Sequence, residues 1–281
     1  MAEAYSSAIE ETAREYYNSD DADNFYFHVW GGEDIHVGLY QSDEEPIRDA
    51  SRRTVEEMAG KFGRLSADSK VIDVGGGYGG SMRYLAHQFG CPSVVLNISE
   101  KENERDRRMN KDQGVDHLID VVDGSFERIP HGDGEFDAAW SQDAILHSGD
   151  REKVLAETCR VLKPGSLFVF TDPMQADDAP TDQLQPIYDR IHLESLGSPG
   201  FYKRAAAKVG FEVVAYEDHS HQLPRHYGRV LKELTAREDE LKEQKIVSAE
   251  YIERMKKGLQ HWIDGGHKGH LAWGIFTLRK K

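Results

Sequence analysis

The sequence predicts an α/β fold built on a mostly parallel seven-stranded sheet with helices on both faces. Three observations predict it. Between residues 70 and 171, short β-rich runs alternate with helical stretches. The first run ends in the turn Val71-Ile72-Asp73-Val74-Gly75-Gly76-Gly77-Tyr78-Gly79-Gly80, which opens a helix. The 281 residues, 38% of them hydrophobic, suffice for one large domain with a packed core.

Residues 1–66 read as a polar helical cap with an aromatic cluster from Phe25 to Trp30, and residues 67–281 as the main domain. Lys70–Val74 is the first strand, and Gly79–Gly90 is a helix with Met82, Leu85, Ala86 and Phe89 on one face. Pro92–Ile98 is strand two, after which Ser99 caps a charged helix through Met109. His117–Asp123 and Phe136–Ser141 are strands three and four. Asp150–Leu162 is amphipathic and stops at Lys163-Pro164-Gly165, before strand five at Leu167–Thr171. Asp182–Gly197 and Gly200–Val209 look helical, and Phe211–Tyr216 is strand six. Pro224–Asp264 reads as one long charged helical stretch inside an insertion of about 222–266, and His270–Leu278 is the last strand. Insertions near strand ends often form lids.

The formal net charge of −15 repels phosphates and anionic lipid, so neither nucleic acid nor membrane is an expected partner. No apolar run approaches the ~20 residues a membrane helix needs. The polar, acidic N-terminus is neither a signal nor a transit peptide, and Cys91 and Cys159 form no CxxC pair. A cytoplasmic protein without disulfide or metal fits. Oligomeric state is not legible.

Gly75, Gly77 and Gly80 match GxGxxG spacing, which alone is weak evidence for a nucleotide cofactor. Asp73 sharpens it. A carboxylate at the end of the strand sits poorly beside a pyrophosphate and well beside an ammonium. S-adenosylmethionine carries an ammonium and no phosphate, so charge favours this methyl donor over NAD. The Asp73–Gly80 run resembles motif I of the Rossmann-like class I S-adenosylmethionine-dependent methyltransferases. Leu96-Asn97-Ile98-Ser99, Gly124-Ser125-Phe126-Glu127, Phe136–Ser141 and Arg160–Gly165 follow in that family's order. The resemblance places Asn97 where an acid usually holds the ribose, Ser125 where many relatives hold adenine with Asp, and Phe126 beside the adenine ring. Asp73, Gly75, Gly77, Asn97, Ser125, Phe126, Gln142 and Trp30 are the expected donor-binding residues.

A narrower resemblance covers nearly the whole chain. Trp140–Ser148, Thr171–Met174, Gln185–Ile191, Gly258–Gly266 and Leu271–Gly274 resemble the betaine-forming sarcosine/dimethylglycine N-methyltransferases. That family implies stepwise methylation of sarcosine and N,N-dimethylglycine to glycine betaine. Such chemistry needs a neutral amine lone pair in a dry, aligned site. His147 is the expected proton acceptor, with Asp143 and Tyr26 beside it at the reacting centre. Aromatic faces would stabilise the cationic product, with Tyr26, Trp30, Tyr40, Tyr188 and Trp273 as candidates. Arg190 is the expected carboxylate clamp, ahead of Arg48, Arg52 and Arg204, and Tyr188 and Trp273 complete the substrate set. Two alternatives stay open on the residues: methylation of another small amine such as phosphoethanolamine, or a non-catalytic module that binds the donor.

Overall fold

The computed structural model describes residues 8–190 and 195–281, with the side chains of Thr181 and Arg190 outside the described set. The N-terminal part carries α1 (Ala8–Tyr17), α2 (Asp20–Phe25), a π-helical turn at Tyr26–Trp30, and α3 (Ile47–Lys61). Then come β1 (Val71–Val74), α4 (Gly80–Phe89), β2 (Ser93–Asn97), α5 (Glu100–Asp112), β3 (Ile119–Asp123) and β4 (Phe136–Gln142). A 3₁₀ turn at Ile145–His147 leads to α6 (Arg151–Val161), β5 (Leu162–Thr171) and β6 (Met174–Gln175). The chain continues through α7 (Thr181–Arg190), α8 (Pro199–Val209), β7 (Phe211–Asp218), α9 (Gln222–Ala236), α10 (Glu238–Glu243) and α11 (Ala249–His267). It closes with β8 (Leu271–Ala272) and β9 (Gly274–Lys280).

Local chemistry sets these boundaries. Ser99, Asp150, Ser198 and Ser248 are N-caps whose side chains accept the backbone N–H of Glu102, Lys153, Phe201 and Tyr251. The 99-to-102 pair is a Ser-x-x-Glu capping sequence, so α5 starts where the carboxylate of Glu102 is fixed.

The seven-stranded sheet runs β3-β2-β1-β4-β5-β9-β7. β1 to β5 are parallel, and β9 lies antiparallel between β5 and β7. The central strands alternate between two cores, as a sheet covered on both sides must. Ile72, Val74, Val94, Leu96, Phe168 and Phe170 face one; Val71, Val95, Trp140 and Val169 face the other. Val55, Met58 and Ala59 put α3 on this second face. A third core lies off the sheet and joins the cap to the insertion: Phe25, Tyr26 and Trp30 pack with Tyr227, Leu259 and Trp262. The cap and insertion thus form one roof over an end of the sheet.

Four elements differ from expectation. Of the helix expected over 182–197, the described part runs to Arg190, residues 191–194 lie outside the described set, and residues 195–198 are not helical. The stretch expected to be continuous over 224–264 is three helices, broken near Arg237 and at Lys245, which has φ +55°. A left-handed residue cannot continue a right-handed helix. Strand five starts at Leu162, because a register shift against β4 absorbs the Lys163-Pro164-Gly165 stop inside the strand. The last strand breaks at Trp273, whose N–H goes to Ser220 Oγ and whose carbonyl accepts His219 N–H, so β8 leaves for a separate ladder with β6.

Candidate active site

The strand order reverses between β1 and β4, and the loops after them diverge there to leave a crevice at their carboxyl ends. A cavity with about 940 Å³ of empty space fills it. Its floor is the glycine loop, its sides are the ends of β2 and β4, and its cover includes Glu10, Ala13 and Tyr17 of α1. Gly75 sits at φ +86°, and a Cβ on it would come within 2.4 Å of Ala144 Cβ. Only glycine lets the loop after β1 pass this close to the loop after β4.

The cavity fits the donor's chemistry at several points. Asp73 is buried with Oδ1 unpartnered, and burial, then nearby Asp106, push its carboxyl well above the usual range. A buried carboxyl without a partner is a place for a cationic ligand group. Asn97 donates from Nδ2 to Glu102 Oε2 at 2.9 Å, and both line the cavity. Burial raises Glu102 to about 7. The acid expected at the end of β2 is therefore supplied five residues later, from the first turn of α5. Ser125 and Phe126 line the far side, where Ser125 Oγ donates to the Glu10 carboxylate.

Beyond the glycine loop the space continues into a second, aromatic chamber with about 740 Å³ of empty space. The two compartments share Tyr17, Tyr26, His36, Asp143 and His147 among their walls. Tyr16, Trp30, Tyr227 and Trp262 line the inner chamber only. The rings touch in series: Tyr26–Trp30 centroids lie 5.2 Å apart, Trp30–Tyr227 5.8 Å and Tyr227–Trp262 4.9 Å. At the junction, Tyr17 OH and His147 Nε2 are 2.8 Å apart. Asp143, strained at φ +50°, accepts Val37 N–H on Oδ2 at 2.7 Å. Its Oδ1 accepts the Thr171 hydroxyl and the Trp273 indole N–H, each at 2.8 Å. Burial raises this carboxyl to about 6, against the pull of those bonds. It clamps the cap loop to the sheet.

The structure brings Asp73, Gly75, Gly77, Asn97, Ser125, Phe126, Gln142, Asp143, His147 and Tyr26 to one cavity. Other expectations need correction. Trp30 lines the inner chamber and not the glycine-loop cavity, because the π-helical turn points it at Tyr227 and His226. Trp273 is wholly buried behind the wall and reaches the site only through Asp143. Tyr188 packs in the roof and donates to Gln175, lining neither compartment. Tyr40 likewise turns away, to His226 Nδ1 at 2.9 Å. Arg48 and Arg204 are exposed, and Arg52 is paired with Asp34 at 2.8 Å. The Arg190 side chain lies outside the described residues. Sequence reading missed Glu10, Tyr17, Asp34, His36, Glu102, Tyr227 and Trp262. Only Glu102 carried a local signal, its place in the capping sequence. The others come from the cap and insertion, whose contact with the strand ends is tertiary.

A family model described as a methyltransferase domain matches residues 72–170. A sarcosine/dimethylglycine N-methyltransferase of Halorhodospira halochloris is 64% identical over 280 residues, spanning 100% of both chains. Another, of Aphanothece halophytica, is 51% identical over 273 residues, spanning 97% of this chain and 98% of its own. A solved structure described as a sarcosine dimethylglycine methyltransferase from Galdieria sulphuraria has a TM-score of 0.89 and 44% identity, covering 95% of this chain and 99% of that one. Similarity of this extent reaches through the cap and the insertion as well as the shared core, and the chain belongs to the sarcosine/dimethylglycine N-methyltransferases, class I enzymes that take their methyl group from S-adenosylmethionine.

Proposed function

We propose that the protein methylates sarcosine and N,N-dimethylglycine in succession, giving glycine betaine, and that the residues gathered above divide the work. The observation that carries this is the aromatic chamber opening directly onto the glycine-loop cavity, with no lysine or arginine among its described lining residues. A phosphorylated amine would call for a cationic cluster there. A small amine that becomes quaternary calls for ring faces.

When bound, S-adenosylmethionine supplies a methyl group already activated on sulfur. Asp73 holds the donor's ammonium, Glu102 with Asn97 takes the ribose hydroxyls, and Phe126 lies along the base. On the acceptor side, Tyr17 orients His147 so that the imidazole takes the amine proton and leaves a lone pair facing the methyl. Tyr26 and Trp30 form part of the ring wall for the developing cation. Asp143 is a positioning residue: both oxygens are engaged, so it fixes the cap loop instead of exchanging protons. No described helix is long and apolar enough to cross a membrane. Osmolyte synthesis in the cytoplasm is the setting this reading implies.

The test is a methylation assay on glycine, sarcosine and dimethylglycine side by side, with products resolved by mass. Dimethylated product from sarcosine and trimethylated product from dimethylglycine support the reading. No turnover on sarcosine or dimethylglycine, with turnover on phosphoethanolamine run as a fourth substrate or on none of the four, removes it.

A further inference from the structure

The substrates just proposed carry a carboxylate, yet the described lining of the inner chamber offers no cation to receive it. It offers unused N–H groups instead. Trp30 lines the chamber, is 6% exposed, and its indole Nε1 has no hydrogen-bond partner. An indole nitrogen is a donor only. His36 lines the same chamber, is 7% exposed, and its Nε2 has no partner either.

The chain itself fixes which His36 nitrogen carries the proton. Trp140 Nε1, again a donor only, lies 2.9 Å from Gln142 Oε1, which also accepts the Ser81 hydroxyl at 2.5 Å. That pins the amide of Gln142, so its Nε2 donates to His36 Nδ1 at 3.1 Å. His36 Nδ1 is thereby an acceptor, and the ring proton sits on Nε2. The same logic holds behind Trp30. His226 Nδ1 accepts the backbone N–H of Gly38 at 3.3 Å, so Tyr40 donates to that nitrogen too, and the His226 ring rests against the Trp30 indole at 5.1 Å. Asp34 Oδ1 lies 4.0 Å from His36 Nε2, beyond hydrogen-bond reach. The two donors are thus held buried, oriented and unsatisfied at a chamber wall, a state proteins seldom keep without a ligand.

We propose that Trp30 Nε1–H and His36 Nε2–H form the subsite for the substrate's carboxylate, an anion receptor made of uncharged donors. This rests on the reading of the substrate as an N-methylated amino acid. Its physical sense lies in charge balance. A guanidinium in the chamber would repel both the sulfonium of the donor and the quaternary nitrogen being made. Neutral N–H groups hold the carboxylate and add no positive charge beside them.

Competition separates this from packing. Glycine betaine and choline share the cation, and only betaine has the carboxylate. Inhibition constants for both are measured against dimethylglycine turnover, with donor affinity by calorimetry, for the wild type, Trp30→Phe, His36→Gln and Arg190→Ala. The wild type should prefer betaine. Trp30→Phe keeps a ring and removes the N–H, so the betaine-to-choline preference should drop by about tenfold, the worth of one hydrogen bond to a charged group. Choline inhibition should weaken clearly less than betaine inhibition, because phenylalanine still offers the cation a ring face, and donor affinity should stay within about twofold. If Trp30→Phe does not fold, His36→Gln carries the same comparison. The inference is overturned if the preference survives both changes, if betaine and choline weaken together, or if Arg190→Ala alone abolishes the preference. A wild type with no turnover on dimethylglycine would instead refute the substrate reading itself.

Discussion

Gly77 sits at φ +53° and a Cβ on it would meet the end of the Ile35 side chain, at 3.3 Å from Cδ1, whereas a Cβ on Gly75 would strike Ala144 Cβ at 2.4 Å. The two glycines therefore fail differently when replaced. Gly77→Val should abolish donor binding with a modest loss of melting temperature. Gly75→Val should lose binding and destabilise the fold as well. Calorimetry paired with thermal denaturation checks this, and equal destabilisation by both would count against it. Asp73 is the second test at this scale. Asp73→Asn removes a charge-assisted contact worth about 1.5–3 kcal/mol, roughly 10- to 150-fold in donor affinity. The sign of its pH dependence follows from burial. Burial, then Asp106, raise the carboxyl well above its ordinary range in the free protein, and an ammonium beside it favours the ionised form, so donor binding is coupled to proton release from this group. Donor affinity should rise with pH in the wild type, and this part of the slope should vanish in Asp73→Asn. An unchanged slope would make Asp73 structural. The sequence showed these residues because the strand-turn-helix that carries them is local. Asn97 was legible for the same reason, but its partner Glu102 reads as an ordinary capping acid until the turn of α5 brings it to the cavity.

At the scale of elements, α1 matters most. It sets Glu10 against Ser125 and Tyr17 against His147, so one helix covers both ends of the cavity. A positioned acid–base group contributes roughly 10²–10⁴ to rate, so His147→Ala should cut turnover by that order. Tyr17→Phe should cut it less, and should shift the pH profile of turnover while leaving donor affinity unchanged. If Tyr17→Phe has the wild-type pH profile, the pair does not act together. The sequence announced a cap and an insertion of the kind that forms lids, but not which of their side chains reach the cavity. Their apolar positions read as ordinary amphipathic faces, and a ring such as Tyr227 or Trp262 is indistinguishable from core until its neighbours are known. The insertion's breaks were hidden as well, since Lys245 gives no warning of a left-handed turn.

For the whole molecule, the unusual feature is how many acids are buried. Burial raises Asp34 and Asp143 to about 6, and Glu102, Asp106 and Asp172 to about 7, from ordinary values near 4. A group with a raised folded-state pKa binds more protons folded than unfolded. Its contribution to stability is full below about 4 and is lost as pH rises through its folded value. Glu33 and Glu135, lowered by Arg83 and by Lys70 respectively against burial, work oppositely and lose their contribution only in acid. The free protein should therefore melt at falling temperatures between about pH 4 and 7, from the unfolded values near 4 to the folded values of about 6 and 7. Buried His36 and His226, lowered to about 3, partly offset that fall below about 6.5. Donor or its demethylated product should flatten that fall by giving Asp73 a cationic partner. A melting temperature that rises across this range in the ligand-free protein would contradict the assignment.

The strand order has one more consequence. β9 lies between β5 and β7 and pairs with both, yet it is translated after either of them. A nascent chain that has emerged only as far as the insertion holds β5 and β7 with no strand to join them. The methyl-donor loop after β1 is by then long finished, but the sheet beneath it is still open on one side. Until residue 280 clears the ribosome, that gap exposes the apolar partners of Ile275, Phe276 and Leu278. Ribosome-bound intermediates stalled before β9 should bind chaperones and be cut readily by protease, and release of the strand should close the sheet in a single late step.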